Sequence, residues 1–347
     1  ERLLFLSSEI ELLFDTLAHS LEVSASDKNF KRFIELTQEA LTMVPVEDRK
    51  FSTIVSRYSQ AIYFSNQLKS TAGSKMLIDA LPEIIQHYGA KHKYIIDVYH
   101  NIAKLAELEL NLALAEEYLI KEVDLLKQHY GEAHIEYGIR LESLSYVYEL
   151  MGVIEKSDEL VLKAFKISEA YFDSHPSKKI EYIDAFASLQ TYIAGHFKTT
   201  EREKESGKYI NKLKFLMFKS EFKDSILMFE DYSHFLAGFE YLLSHRYEMF
   251  IKQFEVMSKE NSSHTDLLIW VYVKNKNYKK AIIQGEKFKT MVLDKRNFFY
   301  QEGHYQYTGF SLAEAYAKTN DLSNAQRTLQ EMYDYNLQLN PASENYW

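Results

Sequence analysis

One four-residue phrase returns along this chain, and its step sets the kind of fold available. Gln86-His87-Tyr88-Gly89 reappears 42 residues later as Gln128-His129-Tyr130-Gly131. A histidine stands three residues past each glycine, at His92 and His134, and a third, His175, follows at nearly the same step in His175-Pro176. A step of roughly 40 residues belongs to stacked helical hairpins, where each unit packs on its neighbours and repetition builds a surface rather than a catalytic centre. The expected fold class is therefore all-α, an α-solenoid of about eight antiparallel helical hairpins.

Apolar residues fall at helical spacing inside these repeats. In residues 98–125, Ile102, Ala103, Ala106 and Leu110 form one stripe. A break at Asn111 follows, and then Leu112, Ala115, Leu119 and Val123 form a second stripe. The next unit repeats the scheme with Leu144, Tyr148, Gly152, Ile154, Val161 and Ala164. Small residues at fixed places let paired helices approach closely, while Leu and Tyr fill the space between hairpins. Only 4 prolines and 11 glycines occur among 347 residues, as a mostly helical chain requires. Pro82 is expected to begin or kink a helix near Leu81.

These residues resemble the tetratricopeptide-repeat proteins of the long-repeat, kinesin-light-chain-like type. Gly131-x-x-His134 and His175-Pro176 match that family's linker between repeats. Ile102-Ala103 and Phe186-Ala187 match its Leu-Ala pair, and Tyr148, Gly152 and Ala164 match later positions. The sequence departs from the pattern at Ile135, where the family has proline, and at Leu110 and Ser157, where it has glycine and alanine. The match is strongest over residues 85–195. Further units fit the ordinary pattern at Leu268, Tyr272, Tyr278, Ala281 and Phe288, and at Leu312-Ala313, Tyr316, Asp321-Leu322, Ala325 and Leu329. The polar run Thr199–Lys208 has no apolar face and reads as a loop or joint between an array over 1–198 and another over 209–347.

Chemistry of other kinds finds no footing in the sequence. A net charge of −9 argues against direct nucleic-acid binding, which needs clustered Lys and Arg. No apolar run approaches the roughly 18–20 residues of a membrane span. With 0 cysteines there is no disulfide, thiolate metal site or cysteine nucleophile. No phosphate loop, His-Glu-x-x-His or nucleophile elbow is present, so no enzyme activity, cofactor or metal is expected. His92 and His134 fall in turns, where an imidazole can hydrogen-bond a neighbouring helix end. The expected setting is cytoplasmic.

An excess of 26 tyrosines and 22 phenylalanines remains to be explained. Most should wedge between hairpins as core. The family resemblance implies that the first helix of each hairpin lines a concave groove. By that register Phe235, Phe239, Trp270, Tyr307 and Phe310 would form an aromatic C-terminal stretch. His100, Lys104, Glu142 and Tyr146 would form a polar middle, with Asn101 beside Lys104 as a further candidate contact. A protein- or peptide-binding scaffold or adaptor is the function this implies. Two alternatives stay open: a peptide-responsive regulatory receptor, or the sensor segment of a larger protein whose caspase-like protease or signalling NTPase domain lies elsewhere. A carboxylate clamp could draw on Asn101 and Lys104, but Glu142, Ser143 and Tyr146 break its pattern in the next repeat.

Overall fold

The computed structural model describes residues 6, 8–13, 28–64, 72–109, 111–175, 203–218, 237–260, 265–293 and 304–339. Among them there is helix and no strand. The chain divides into two compact units, Glu1–Glu132 and Ala133–Trp347. The first unit holds α1 (Lys28–Met43), α2 (Arg49–Phe64), α3 (Ala72–Tyr88), α4 (Lys93–Leu108) and α5 (Leu112–Tyr130). The second holds α6 (Ile135–Leu150), α7 (Ile154–Ser174), α8 (Glu203–Phe218), α9 (Tyr247–Glu260), α10 (Thr265–Lys274), α11 (Tyr278–Leu293), α12 (His304–Lys318) and α13 (Leu322–Leu339). Residues 237–243 add a further helical stretch before α9.

The two helices of a hairpin bury different amounts of themselves, and their sequences show why. In α4 the buried set Tyr94, Ile95, Val98, Ile102, Ala103, Leu105 and Ala106 covers most of the circumference, because α4 packs against α2, α3 and α5. In α5 the buried residues Leu112, Ala115, Tyr118, Leu119, Glu122, Val123, Leu125 and Leu126 keep to one side. An all-round apolar helix lies inside and a one-sided helix lies outside. Pairing is antiparallel: Lys93 at the start of α4 sits over the ring of Tyr130 at the end of α5, while Tyr99 meets Tyr118 edge-on. The same holds for α6 and α7, where Ser145 bonds Ser157 and His134 meets Tyr171.

The recurring phrase is a stop signal followed by a start signal. Gly89 and Gly131 have φ of 88° and 81°, the left-handed region that ends a helix at low steric cost. Gly89 N–H closes on the Ile85 carbonyl, and Gly131 N–H on that of Lys127. Three residues later the histidine caps the next helix. His92 Nδ1 accepts from the Tyr94 N–H at 3.1 Å, and His134 Nδ1 accepts from the Glu136 N–H at 3.3 Å. Each imidazole thus takes the role usually given to Ser, Asp or Asn. The bond is made within the histidine's own helix rather than to a neighbour.

Inside the hairpins a second signal recurs. Gly152, His245, Lys276 and Asn320 all have positive φ, between 55° and 76°. Each sits four residues after a tyrosine: Tyr148, Tyr241, Tyr272 and Tyr316. In every case the N–H of the following residue bonds that tyrosine's carbonyl, at 2.8–2.9 Å. Only the first of these turns uses glycine; the others hold an ordinary side chain in left-handed backbone, at about 1 kcal/mol. Lys276→Gly should therefore raise stability by about 1 kcal/mol, and Gly152→Ala should lower it by a similar amount. Urea denaturation of the two variants beside the parent chain checks both signs.

Several expectations need adjusting. Pro82 lies inside α3 on its exposed side, so the helix runs through it instead of starting there. Within the expected polar joint, Thr199–Arg202 fall outside the described residues, whereas Glu203–Lys208 form the first turns of α8. Ser206 is fully buried there, which anchors a stretch that reads as wholly solvated in sequence. Ser157, standing where the family has alanine, is buried, and its hydroxyl lies 2.9 Å from that of Ser145. Leu322 and Leu329, which fit the repeat pattern in sequence, are exposed on α13.

Candidate functional site

The residues picked by register divide into three groups once placed. Asn101 and Lys104 lie half-buried on α4 of the first unit. In the second unit Glu142 and Tyr146 lie half-buried one turn apart on α6. Trp270 and Phe310 stand on α10 and α12, first helices that pack on each other. Phe235 lies outside the described residues. Tyr307 belongs to α12, but its side chain lies outside them.

Phe239 does not face open space. It is 1% exposed and shares the inward side of helix 237–243 with Leu242, three residues on, while Glu240 points to solvent. The reason is local. Gly238 lets this helix press onto the Phe250–Phe254 stack of α9, and that approach turns position 239 inward.

The first-unit group is a paired polar strip. Lys104 Nζ reaches the Glu107 carboxylate at 3.0 Å, and Glu107 is itself buried. One turn earlier His100 Nδ1 contacts both carboxylate oxygens of Glu122, at 3.3 and 3.4 Å. Glu122 comes from α5 and is 0% exposed. An acceptor at Nδ1 fixes the tautomer of a neutral imidazole, leaving Nε2 as its acceptor. Both basic side chains are thus partly open to solvent and backed by a buried acid. At the far end of α4, Glu109 accepts from the N–H and hydroxyl of Ser74, tying the end of α4 to the start of α3. Burial pushes its carboxyl above the ordinary 4.5, and the Ser74 bonds offset part of that rise.

The second-unit group is apolar with a cation beside it. Trp270 packs against the cluster containing Leu268, Val271 and Tyr272, and Lys274 lies one turn on with Nζ 5.2 Å from the indole centroid. Phe310 is 50% exposed. Behind this face, a tyrosine–carboxylate link joins each outer helix to the next inner one. Tyr272 donates to Glu255 of α9 at 2.5 Å, and Tyr316 donates to Glu286 of α11 at 2.7 Å. Both acids stand at the same place in their helices, eight residues after Tyr247 and Tyr278. Lys280 reaches Glu255 at 2.7 Å, and Lys289 reaches Glu286 at 3.0 Å and Glu331 at 2.9 Å. Burial acts to raise Glu286, but the Tyr316 hydroxyl and Lys289 outweigh it and hold the carboxyl below 4.5. Burial and the adjacent acid both push the two tyrosine hydroxyls well above 10.0.

Register alone missed Lys274, Glu107 and Glu122. Lys274 was readable as the i+4 neighbour of Trp270, and Glu107 as the i+3 neighbour of Lys104. Glu122 was not readable, because a buried acid on an outer helix looks like any other helical glutamate. Among the described residues no group of three or more His, Asp or Glu side chains is arranged to hold a metal ion. None of their helices is long and apolar enough to cross a membrane.

No family model matches the chain. No curated protein matches it either. Solved structures do. A Rap protein complexed with competence and sporulation factor is similar at 12% identity and a TM-score of 0.50, over 97% of this chain and 99% of that one. The apo form of RapI is similar at 14% identity and a TM-score of 0.48, over 98% and 99%. A Podosopora anserina protein described as a kinesin light chain with nearly identical TPR-like repeats is similar at 13% identity and a TM-score of 0.45, over 64% and 98%. The fold of this chain is that of a tetratricopeptide-like helical-repeat protein.

Proposed function

We propose that the chain is a non-enzymatic protein- or peptide-binding module that uses the open side of its inner helices. The observation that carries this reading is the half-exposed Phe310 on α12 beside α10, whose Trp270 is only partly buried and carries Lys274. Large aromatic rings left open on adjacent helices are the usual anchors of recognition surfaces, with a neighbouring cation adding direction. The polar strip of Asn101, Lys104 and His100 on α4, and Glu142 with Tyr146 on α6, would give register within their own units.

A peptide-responsive regulator is the second reading. It is favoured by one observation: a Rap protein, similar over almost the whole chain, is seen in complex with competence and sporulation factor. On either reading the partner is a protein or peptide.

The test begins with affinity capture and mass spectrometry to find the partner, followed by calorimetry on the purified pair. Phe310→Ala should weaken binding by about 2 kcal/mol, roughly thirtyfold, with little change in melting temperature. Trp270→Ala should weaken binding and also lower the melting temperature, since the ring packs on the core. Unchanged affinity in both variants would remove the aromatic face from the site. The next variant to measure would then be Lys104→Ala.

A further inference from the structure

We propose that the two linker histidines are acid-released latches on the inner helices, one in each unit: His92 on α4 and His134 on α6. Both occupy the N-cap with extended backbone, φ −73° and ψ 143° for His92 and φ −82° and ψ 144° for His134. Both hold the second N–H of their helix through Nδ1. An imidazole nitrogen accepts a hydrogen bond only while it carries no proton. Adding a proton there turns the acceptor into a donor facing a donor. It also places a cation at the positive end of a helix dipole. Only the neutral ring can cap, so the cap's contribution is present at higher pH and is lost once a falling pH puts a proton on Nδ1. Ser or Asn at the same place would cap with or without that proton.

Aromatic rings and charged groups from the packed helices surround each ring. His92 lies tilted on Tyr88 of α3 at 5.0 Å, and Tyr88 meets Tyr94 of α4 edge-on. From α4 itself come Lys93, held over Tyr130 of α5, and Asp97, paired with Arg49 of α2. Arg49 also stacks over Tyr94, and His129 of α5 bonds the Lys91 carbonyl at 2.6 Å. Around His134 stand Tyr171, edge-on at 5.2 Å, and His175, stacked on that tyrosine, both at the end of α7. On α6 itself Glu136 supplies the capped N–H, and Tyr137 follows it with Lys163 of α7 bonded to its hydroxyl. Asp97 is already engaged by Arg49; the acids nearest His134 in sequence are Glu132, which is paired with Lys127, and Glu136, each two residues away.

The consequence reaches beyond the linker. His100, Asn101 and Lys104 follow His92 on α4, and Glu142 and Tyr146 follow His134 on α6, so a frayed first turn loosens the helix that carries each set. The inference does not require that those residues bind anything.

The test uses the full chain and hydrogen exchange at the Tyr94 and Glu136 amides at about pH 7.5 and about pH 5.5, corrected for the intrinsic rate. Losing a cap should raise local opening about fivefold in the parent chain. His92→Asn should abolish that rise at Tyr94 only, and His134→Asn at Glu136 only. An equal rise in parent and variants, or none in the parent, overturns the proposal. Nitrogen-15 spectra of the imidazoles give an independent reading. A proton on Nε2 at the higher pH is expected, and a proton on Nδ1 there would overturn the proposal without any variant.

Discussion

Ala103→Asp should cost about 4 kcal/mol of stability, the scale of an uncompensated buried charge. Ala103 is 1% exposed, in the middle of an inner helix whose neighbours Ile102, Leu105 and Ala106 are buried as well. A carboxylate on a one-carbon stem cannot reach water from there. The nearest cation in sequence, Lys104, is partly open to solvent and is already held by Glu107. The new group must stay charged without a partner, take up a proton, or force α4 away from its neighbours. Each route loses the close approach that a methyl side chain permits. Since a repeat is held mainly by its neighbours, the loss should spread beyond one hairpin and lower the cooperativity of unfolding. Ala113→Asp is the matched control, because Ala113 is exposed on the outer helix α5. It should move stability by less than about 0.5 kcal/mol. Urea midpoints for the two variants decide the matter. If Ala103→Asp behaves like Ala113→Asp, α4 is not the inner helix of its hairpin.

Much of the fold was legible because the signals are local. Gly-x-x-His marks a helix end and a helix start within four residues, and both events depend on chemistry inside that stretch. The apolar stripes of α4 and α5 were legible for the same reason: helical spacing converts directly into faces. What was hidden depends on residues far apart in the chain. The Tyr272–Glu255 and Tyr316–Glu286 links join consecutive hairpins, and nothing near either tyrosine announces its partner. The turns at His245, Lys276 and Asn320 were hidden for a different reason. Their backbone is that of a glycine turn, but the repeat's other constraints fix it and so tolerate an ordinary side chain. Of the residues expected to line a groove, Trp270 and Phe310 stand partly open, whereas Phe239 is buried. The inward turn at 239 follows from how closely Gly238 lets two helices meet, and a repeat pattern does not encode that distance.

That close meeting carries the second large effect. Gly238→Ala should destabilise the protein by about 3 kcal/mol, although it adds one methyl group. A Cβ at this position would lie 2.1 Å from Cε2 and 2.6 Å from Cζ of Phe254, and 3.2 Å from Cε2 of Phe250. Neither ring can swing aside. Both are 0% exposed, and they stack on each other with centroids 3.9 Å apart and planes 14° from parallel. Relief must come from moving helix 237–243 off α9, which would open the contacts of Phe239 and Leu242 too. Gly207 is the natural contrast. It lies within α8, and the nearest atom to an added Cβ is 3.7 Å away, an ordinary contact. There alanine removes only backbone freedom from the unfolded chain, so Gly207→Ala should stabilise by about 0.8 kcal/mol. Opposite signs from the same substitution at two helical glycines would isolate the steric cause. A double variant, Gly238→Ala with Phe254→Leu, tests it further. Trimming the ring should recover at least about 1 kcal/mol relative to the sum of the single changes. Strict additivity would mean the clash with Phe254 is not what position 238 forbids.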